Sequence, residues 1–75
     1  SPEQVVLRRE ETALMLKCMR TLSLRQQEIL SLRFAGQLTN REIAKVLRMN
    51  ERTVGVTILR TLRKLRQQLV ESETE

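Results

Sequence analysis

A chain of 75 residues with 40% hydrophobic content makes one small domain, whose marginal core has to come from well-packed helices. The single Cys and the absence of His exclude an internal disulfide framework and disfavour a zinc site, and the lone aromatic, Phe34, disfavours the base-stacking platforms of single-strand binders. A net charge of +5, with no apolar run near the ~20 residues of a membrane span, points to a polyanionic partner and away from a bilayer.

Ser1-Pro2-Glu3-Gln4 predicts a helix start: serine caps, proline suits the first helical position and Gln4 completes a capping box. A first residue other than Met is expected of a piece of a longer protein. This helix is expected to reach about Thr21, with Leu7, Leu14, Cys18 and Leu22 along one side and Val6, Ala13 and Met15 widening it. Arg8, Arg9, Glu10 and Glu11 read as solvated charge. Cys18, among Leu14, Met15, Met19 and Leu22, reads as a small buried hydrophobe and not as a reactive thiol.

Ser23 opens a second helix, again with Gln three residues on, at Gln26. Ile29, Leu30, Leu32 and Phe34 give it an apolar face, and Gly36 is expected to end it as a left-handed C-terminal glycine. Thr39 and Glu42 form a further T-x-x-E box, followed by Ile43, Ala44 and Leu47 as a short apolar face. Arg48-Met49-Asn50 is long enough for a turn, and Asn50 caps the last helix, expected from about Glu51 to Val70. Residues 71–75 are acidic, lack apolar anchors and are expected to fray. No segment alternates as a strand does. The expected architecture is all-α: a compact four-helix domain with a C-terminal helix-turn-helix at about residues 39–66.

Charge concentrates on that two-helix unit. Residues 40–66 carry eight basic side chains (Arg41, Lys45, Arg48, Arg52, Arg60, Arg63, Lys64, Arg66) against Glu42 and Glu51, so the segment is +6 and the remainder −1. A basic helix-turn-helix gains counterion-release free energy on duplex DNA, and its second helix enters the major groove. Val54, Ile58, Thr61 and Leu65 recur at helical spacing and form the inward stripe. The opposite face carries Arg52, Val56, Leu59, Arg60 and Arg63. Arg60 or Arg63 can fork onto guanine, and Val56 and Leu59 can touch thymine methyls, so these four are the candidate base contacts. Thr39, Arg41, Arg52, Thr53 and Lys64 are the candidate phosphate contacts, with Lys45 and Arg48 adding to the general field. An enzyme is not expected: the chain has no His and no Asp, Cys18 lacks a partner base, and Glu28 and Glu42 serve capped helices. No metal or cofactor is expected either.

Several segments together resemble a known family. Ser1-Pro2-Glu3-Gln4, Leu7-Arg8-Arg9-Glu10, Leu22-Ser23-Leu24-Arg25-Gln26-Gln27-Glu28-Ile29-Leu30, Leu32-Arg33-Phe34, Leu38-Thr39, Glu42-Ile43-Ala44, Leu47, Thr53-Val54 and Arg63-Lys64-Leu65-Arg66 follow in the order seen in region 4 of bacterial sigma factors. The likeness is nearest to the small extracytoplasmic-function group and covers nearly the whole chain. It implies a helical C-terminal domain of a cytoplasmic bacterial protein, acting as a monomer. Such a domain recognises the promoter −35 element as duplex DNA, docks on the flap of the RNA polymerase β subunit and is a frequent target of anti-sigma factors. The family's recognition-helix contacts fall on Gly55, Val56, Leu59 and Arg60.

Two departures stand out against that pattern. Family members commonly carry basic or small polar residues where this chain has Gly55, Val56 and Thr57, and polar or basic ones at Leu59 and Leu62. Val56, Leu59 and Leu62 are therefore a candidate surface for an anti-sigma factor or other protein regulator. Two alternatives stay open: the output domain of a response-regulator activator, which shares Leu38-Thr39-Asn40-Arg41-Glu42-Ile43-Ala44, and a protein-interaction module without DNA binding.

Overall fold

The computed structural model describes the backbone of residues 1–74 and the side chains of residues 1–71. Four α-helices follow in order: α1 (Pro2–Met19), α2 (Leu24–Leu30), α3 (Asn40–Leu47) and α4 (Glu51–Thr74), with a π-helical turn over Ser31–Ala35 continuing α2. There is no strand among the described residues. α4 reaches Thr74, past the expected end at Val70, so residues 71–74 of the expected frayed tail are helical; Glu75 lies outside the described residues.

The helix starts follow from local chemistry. Ser1 accepts the Gln4 amide at 3.4 Å, and Ser23 and Thr39 each make a complete capping box, with Gln26 and Glu42 returning a bond to the cap's own amide. Asn50 accepts the Arg52 amide at 2.8 Å and so caps α4.

The core is built around α4. Val54, Ile58, Thr61 and Leu65 are all buried, as their spacing predicts, and they meet Cys18 and Leu22 of the α1 end, Ile29 and Leu30 of α2, and Ile43 and Ala44 of α3. Ile29, Ile43 and Val54 are fully enclosed, each contributing about 1.5–3 kcal/mol relative to exposure. Thr61, 1% exposed, donates its hydroxyl to the Thr57 carbonyl at 2.6 Å, which satisfies the one buried polar residue among those described. The α1–α2 corner is tied down by Gln27, which donates to the Met19 and Leu22 carbonyls, each at 3.1 Å.

Three expectations are corrected here. The first concerns α1: only Cys18 and Leu22 of its predicted stripe are buried and Leu14 is half-buried, while Val6, Leu7, Ala13 and Met15 are exposed. Residues 1–13 are exposed throughout because that part of α1 runs past the core with no element opposite, which stretches the molecule to 43 × 26 × 16 Å. The second concerns Phe34, which is 57% exposed and not part of the α2 face. The π turn, closed by the Gly36 amide on the Ser31 carbonyl at 2.9 Å, widens the helix and shifts later side chains out of the α2 register.

The third concerns Gly36. It lies in the right-handed region, at φ −80°, and the left-handed residue is Gln37, at φ 57°. Glycine is required at 36 by space: a Cβ there would lie 2.9 Å from the Leu32 carbonyl oxygen and 3.0 Å from Leu38 Cδ1. Gly36→Ala is accordingly expected to destabilise the domain by about 1–3 kcal/mol, as overpacking does. A thermal melt of the variant that matches the parent would refute the steric account.

Candidate nucleic-acid interface

α3 and α4 make the helix-turn-helix. α3 stops where Arg48 adopts the left-handed conformation at φ 55°, and the Met49 amide closes onto the Ala44 carbonyl at 2.8 Å. Residues 48–50 then turn the chain into the Asn50 cap. Ile43 and Ala44 pack beneath Val54 and Ile58, which fixes the rotation of α4 about its axis.

That rotation decides what faces outward. Arg52, Val56, Leu59, Arg60 and Arg63 are all exposed on the side of α4 opposite its buried stripe, and Thr53 is exposed beside them. Arg52 stands at the start of α4. Arg63 lies about 16 Å further along, at 1.5 Å per residue. Thr39 and Arg41 are exposed at the start of α3, where helix amides point outward. The Thr39 hydroxyl accepts the Glu42 amide at 3.1 Å as part of the α3 cap.

Lys64 does not join this group. Its Nζ donates to the Thr21 carbonyl at 3.2 Å, at the end of α1, where Gln68 also hydrogen-bonds Thr21. Leu62, 40% exposed, sits on the flank of α4 and lines an apolar groove with Met15, Met19, Leu30, Phe34 and Leu65. Val56, Leu59 and Leu62 thus form an exposed apolar strip leading from the outward face of α4 into that groove.

Sequence reasoning missed two features. The groove depends on the π turn that delivers Phe34 to the surface, and no local signal announces such a turn. The other is Asn40, which shares an open cleft with Asn50, Glu51, Arg52, Gly55 and Val56 between the starts of α3 and α4. The absence of a side chain at Gly55 was the available hint.

The sigma-70 region 4 family model matches residues 12–65. The chain belongs to the sigma-70 region 4 family. No curated protein and no solved structure matches the chain. The family is one of DNA-binding transcription-initiation domains, without enzymatic activity, that in general engage promoter −35 DNA and RNA polymerase. Membership decides against the response-regulator alternative, and the unbroken α4 agrees with it. No helix among the described residues is long and apolar enough to cross a membrane.

Electrostatics enters through the α3 cap. The Thr39 amide donates to Glu42 Oε1 at 2.9 Å, which holds this exposed carboxyl below its ordinary range, aided by the Thr39 hydroxyl and the nearby charge of Lys45. A lowered folded-state value means that the cap's ionic contribution is complete above the ordinary Glu range. It is lost as pH falls through the lowered value. Glu42→Gln keeps an acceptor for the Thr39 amide but removes the titration. Its melting temperature is expected to fall less steeply than the parent's on acidification. Superimposable acid limbs would count against Glu42 as a source of that slope.

Proposed function

We propose that this chain is the promoter-reading domain of an extracytoplasmic-function-type sigma factor, acting as a monomer in the bacterial cytoplasm and reading the −35 element with the outward face of α4. The observation that carries this reading is the burial of the Val54, Ile58, Thr61 and Leu65 stripe, which leaves Arg52, Val56, Leu59, Arg60 and Arg63 on the free side of a family-matched recognition helix. Val56 and Leu59 suit thymine methyls, and Arg60 and Arg63 suit guanine O6/N7 pairs. Thr39, Arg41, Arg52 and Thr53 hold the phosphates on either side.

A domain that joins DNA to polymerase needs a second face. The apolar groove of Met15, Phe34 and Leu62 lies off the DNA-reading face and suits a helix of the polymerase β-subunit flap. A second reading, for the strip Val56, Leu59 and Leu62, is an anti-sigma factor that competes with DNA; their exposures of 39%, 51% and 40% favour it.

Fluorescence-anisotropy titration of the chain against a randomised duplex library, at two salt concentrations with sequencing of the bound fraction, tests the DNA reading. We expect an enriched motif and a steep salt dependence. Arg52→Ala is expected to reduce the log–log salt slope by about 0.9, the value of one phosphate contact, and to weaken all sequences alike. Binding without salt dependence or motif would overturn the reading. For the protein partners, lysines at Leu59 and Leu62 together are expected to lose both the flap and an anti-sigma factor, whereas Phe34→Ser loses only the flap. Retention of both partners by both variants would remove the groove and the strip from the interface.

A further inference from the structure

Asn40 is the first residue of α3, and its carboxamide is left over by the fold. Its Oδ1 is buried and has no hydrogen-bond partner. A buried acceptor without a donor is costly and rare, and one kept at the edge of an open cleft calls for an explanation outside the folded chain. The neighbouring cap residues are occupied: Thr39 is bonded to Glu42, and Asn50 to the Arg52 amide.

Gly55 lies directly beneath this carboxamide. The nearest atom to a Cβ built on Gly55 is Asn40 Nδ2, at 3.4 Å, an ordinary contact distance. Gly55 is helical without a positive φ, so neither backbone conformation nor close packing requires glycine there. A glycine inside a helix is nevertheless unfavourable relative to Ala. Its effect is to open a notch on the recognition helix, flanked by Arg52 and Val56, over which the Asn40 side chain is suspended.

We propose that Asn40, reaching across Gly55, is a base-reading residue that selects an adenine in the duplex. This rests on the DNA-reading function proposed above. The chemistry singles out adenine because Asn presents one acceptor and one donor edge in a plane. Adenine's major-groove edge presents N6–H and N7, the complementary donor and acceptor. Turning the carboxamide outward lets Oδ1 accept from N6–H while Nδ2 donates to N7, so a single base satisfies the orphaned oxygen and engages the amide nitrogen beside it. A phosphate oxygen accepts only and would leave Oδ1 unsatisfied. The position also fits: base edges are met by the first turns of a recognition helix, and here Gly55 and Val56 bring no polar group of their own.

The test is the same library selection run in parallel on the parent chain and Asn40→Ala, with salt slopes and thermal melts of both. The parent is expected to enrich an adenine at one position. Asn40→Ala is expected to lose that preference alone, by roughly 5- to 150-fold, with the other positions and the salt slope unchanged. Its melting temperature should be equal or higher, since the carboxamide makes no internal hydrogen bond. An intact motif in Asn40→Ala overturns the proposal. A uniform loss across sequences with a shallower slope assigns Asn40 to a phosphate and also overturns it, and a lowered melting temperature assigns it to the fold with the same result. If the parent shows no salt-dependent duplex binding, the DNA reading itself fails and takes this proposal with it. A parent motif lost only in its adenine column separates the two cleanly.

Discussion

The burial of one stripe of α4 governs the rest of this molecule. Val54, Ile58, Thr61 and Leu65 are enclosed by residues from every other helix, so α4 is at once the centre of the core and the element proposed to meet the DNA. A helix in that double role cannot rotate without dismantling the core. The outward positions of Arg52, Val56, Leu59 and Arg60 are therefore set by the packing energy of the opposite face, and the loops contribute little to it. A domain of this length has a total stability on the order of 4–11 kcal/mol. A single enclosed aliphatic side chain accounts for a sizeable part of that, so core and recognition are energetically one property.

The same geometry sorts the surface into two regions of different character. The start of α4 and the start of α3 offer guanidinium groups, helix amides and an unpaired carboxamide, a set suited to a polyanion with hydrogen-bonding base edges. Toward the other end, the π turn sends Phe34 outward beside Met15 and Leu62, leaving a groove whose lining is apolar. The strip Val56–Leu59–Leu62 joins the two regions. A ligand that extends along it meets both, which is why DNA and a protein helix can be expected to exclude one another at this end of the molecule.

Local chemistry explains how much of this was legible in the sequence. The starts at Ser23, Thr39 and Asn50 are short-range hydrogen-bond patterns and appear in the structure as read. The α4 stripe was equally legible, because its spacing persists over three turns and every member is buried. The failures turn on packing and helix geometry that residue spacing alone does not carry. The first half of α1 contains enough apolar residues to suggest a buried face, yet whether anything lies opposite depends on tertiary placement. Gly36 looked like a conformational glycine and is instead a steric one, crowded by Leu32 and Leu38. Lys64 is close in sequence to Arg60 and Arg63, and its hydrogen bond to the Thr21 carbonyl, 43 residues away, is a contact that no local pattern announces.

The departures of α4 from its family's pattern can be understood through this division of labour. Gly55, Val56 and Leu59 remove charge from the part of the helix nearest the groove, while Arg41, Arg52 and Arg60 remain exposed around it. On the proposed reading, phosphate attraction falls to the periphery, where an exposed guanidinium acts at little desolvation cost. The centre is left to apolar contact and to whatever polar group a neighbouring element can lend. Discrimination by methyl contact is weak compared with a bidentate hydrogen bond, so a recognition surface of this composition needs a polar reader from elsewhere to achieve sharp specificity. The only orphaned buried side-chain atom among the described residues lies at that point, on α3. On the proposed reading, the helix that in most such units only positions its partner shares in reading the base pairs, from a side chain that lies against the notch at Gly55.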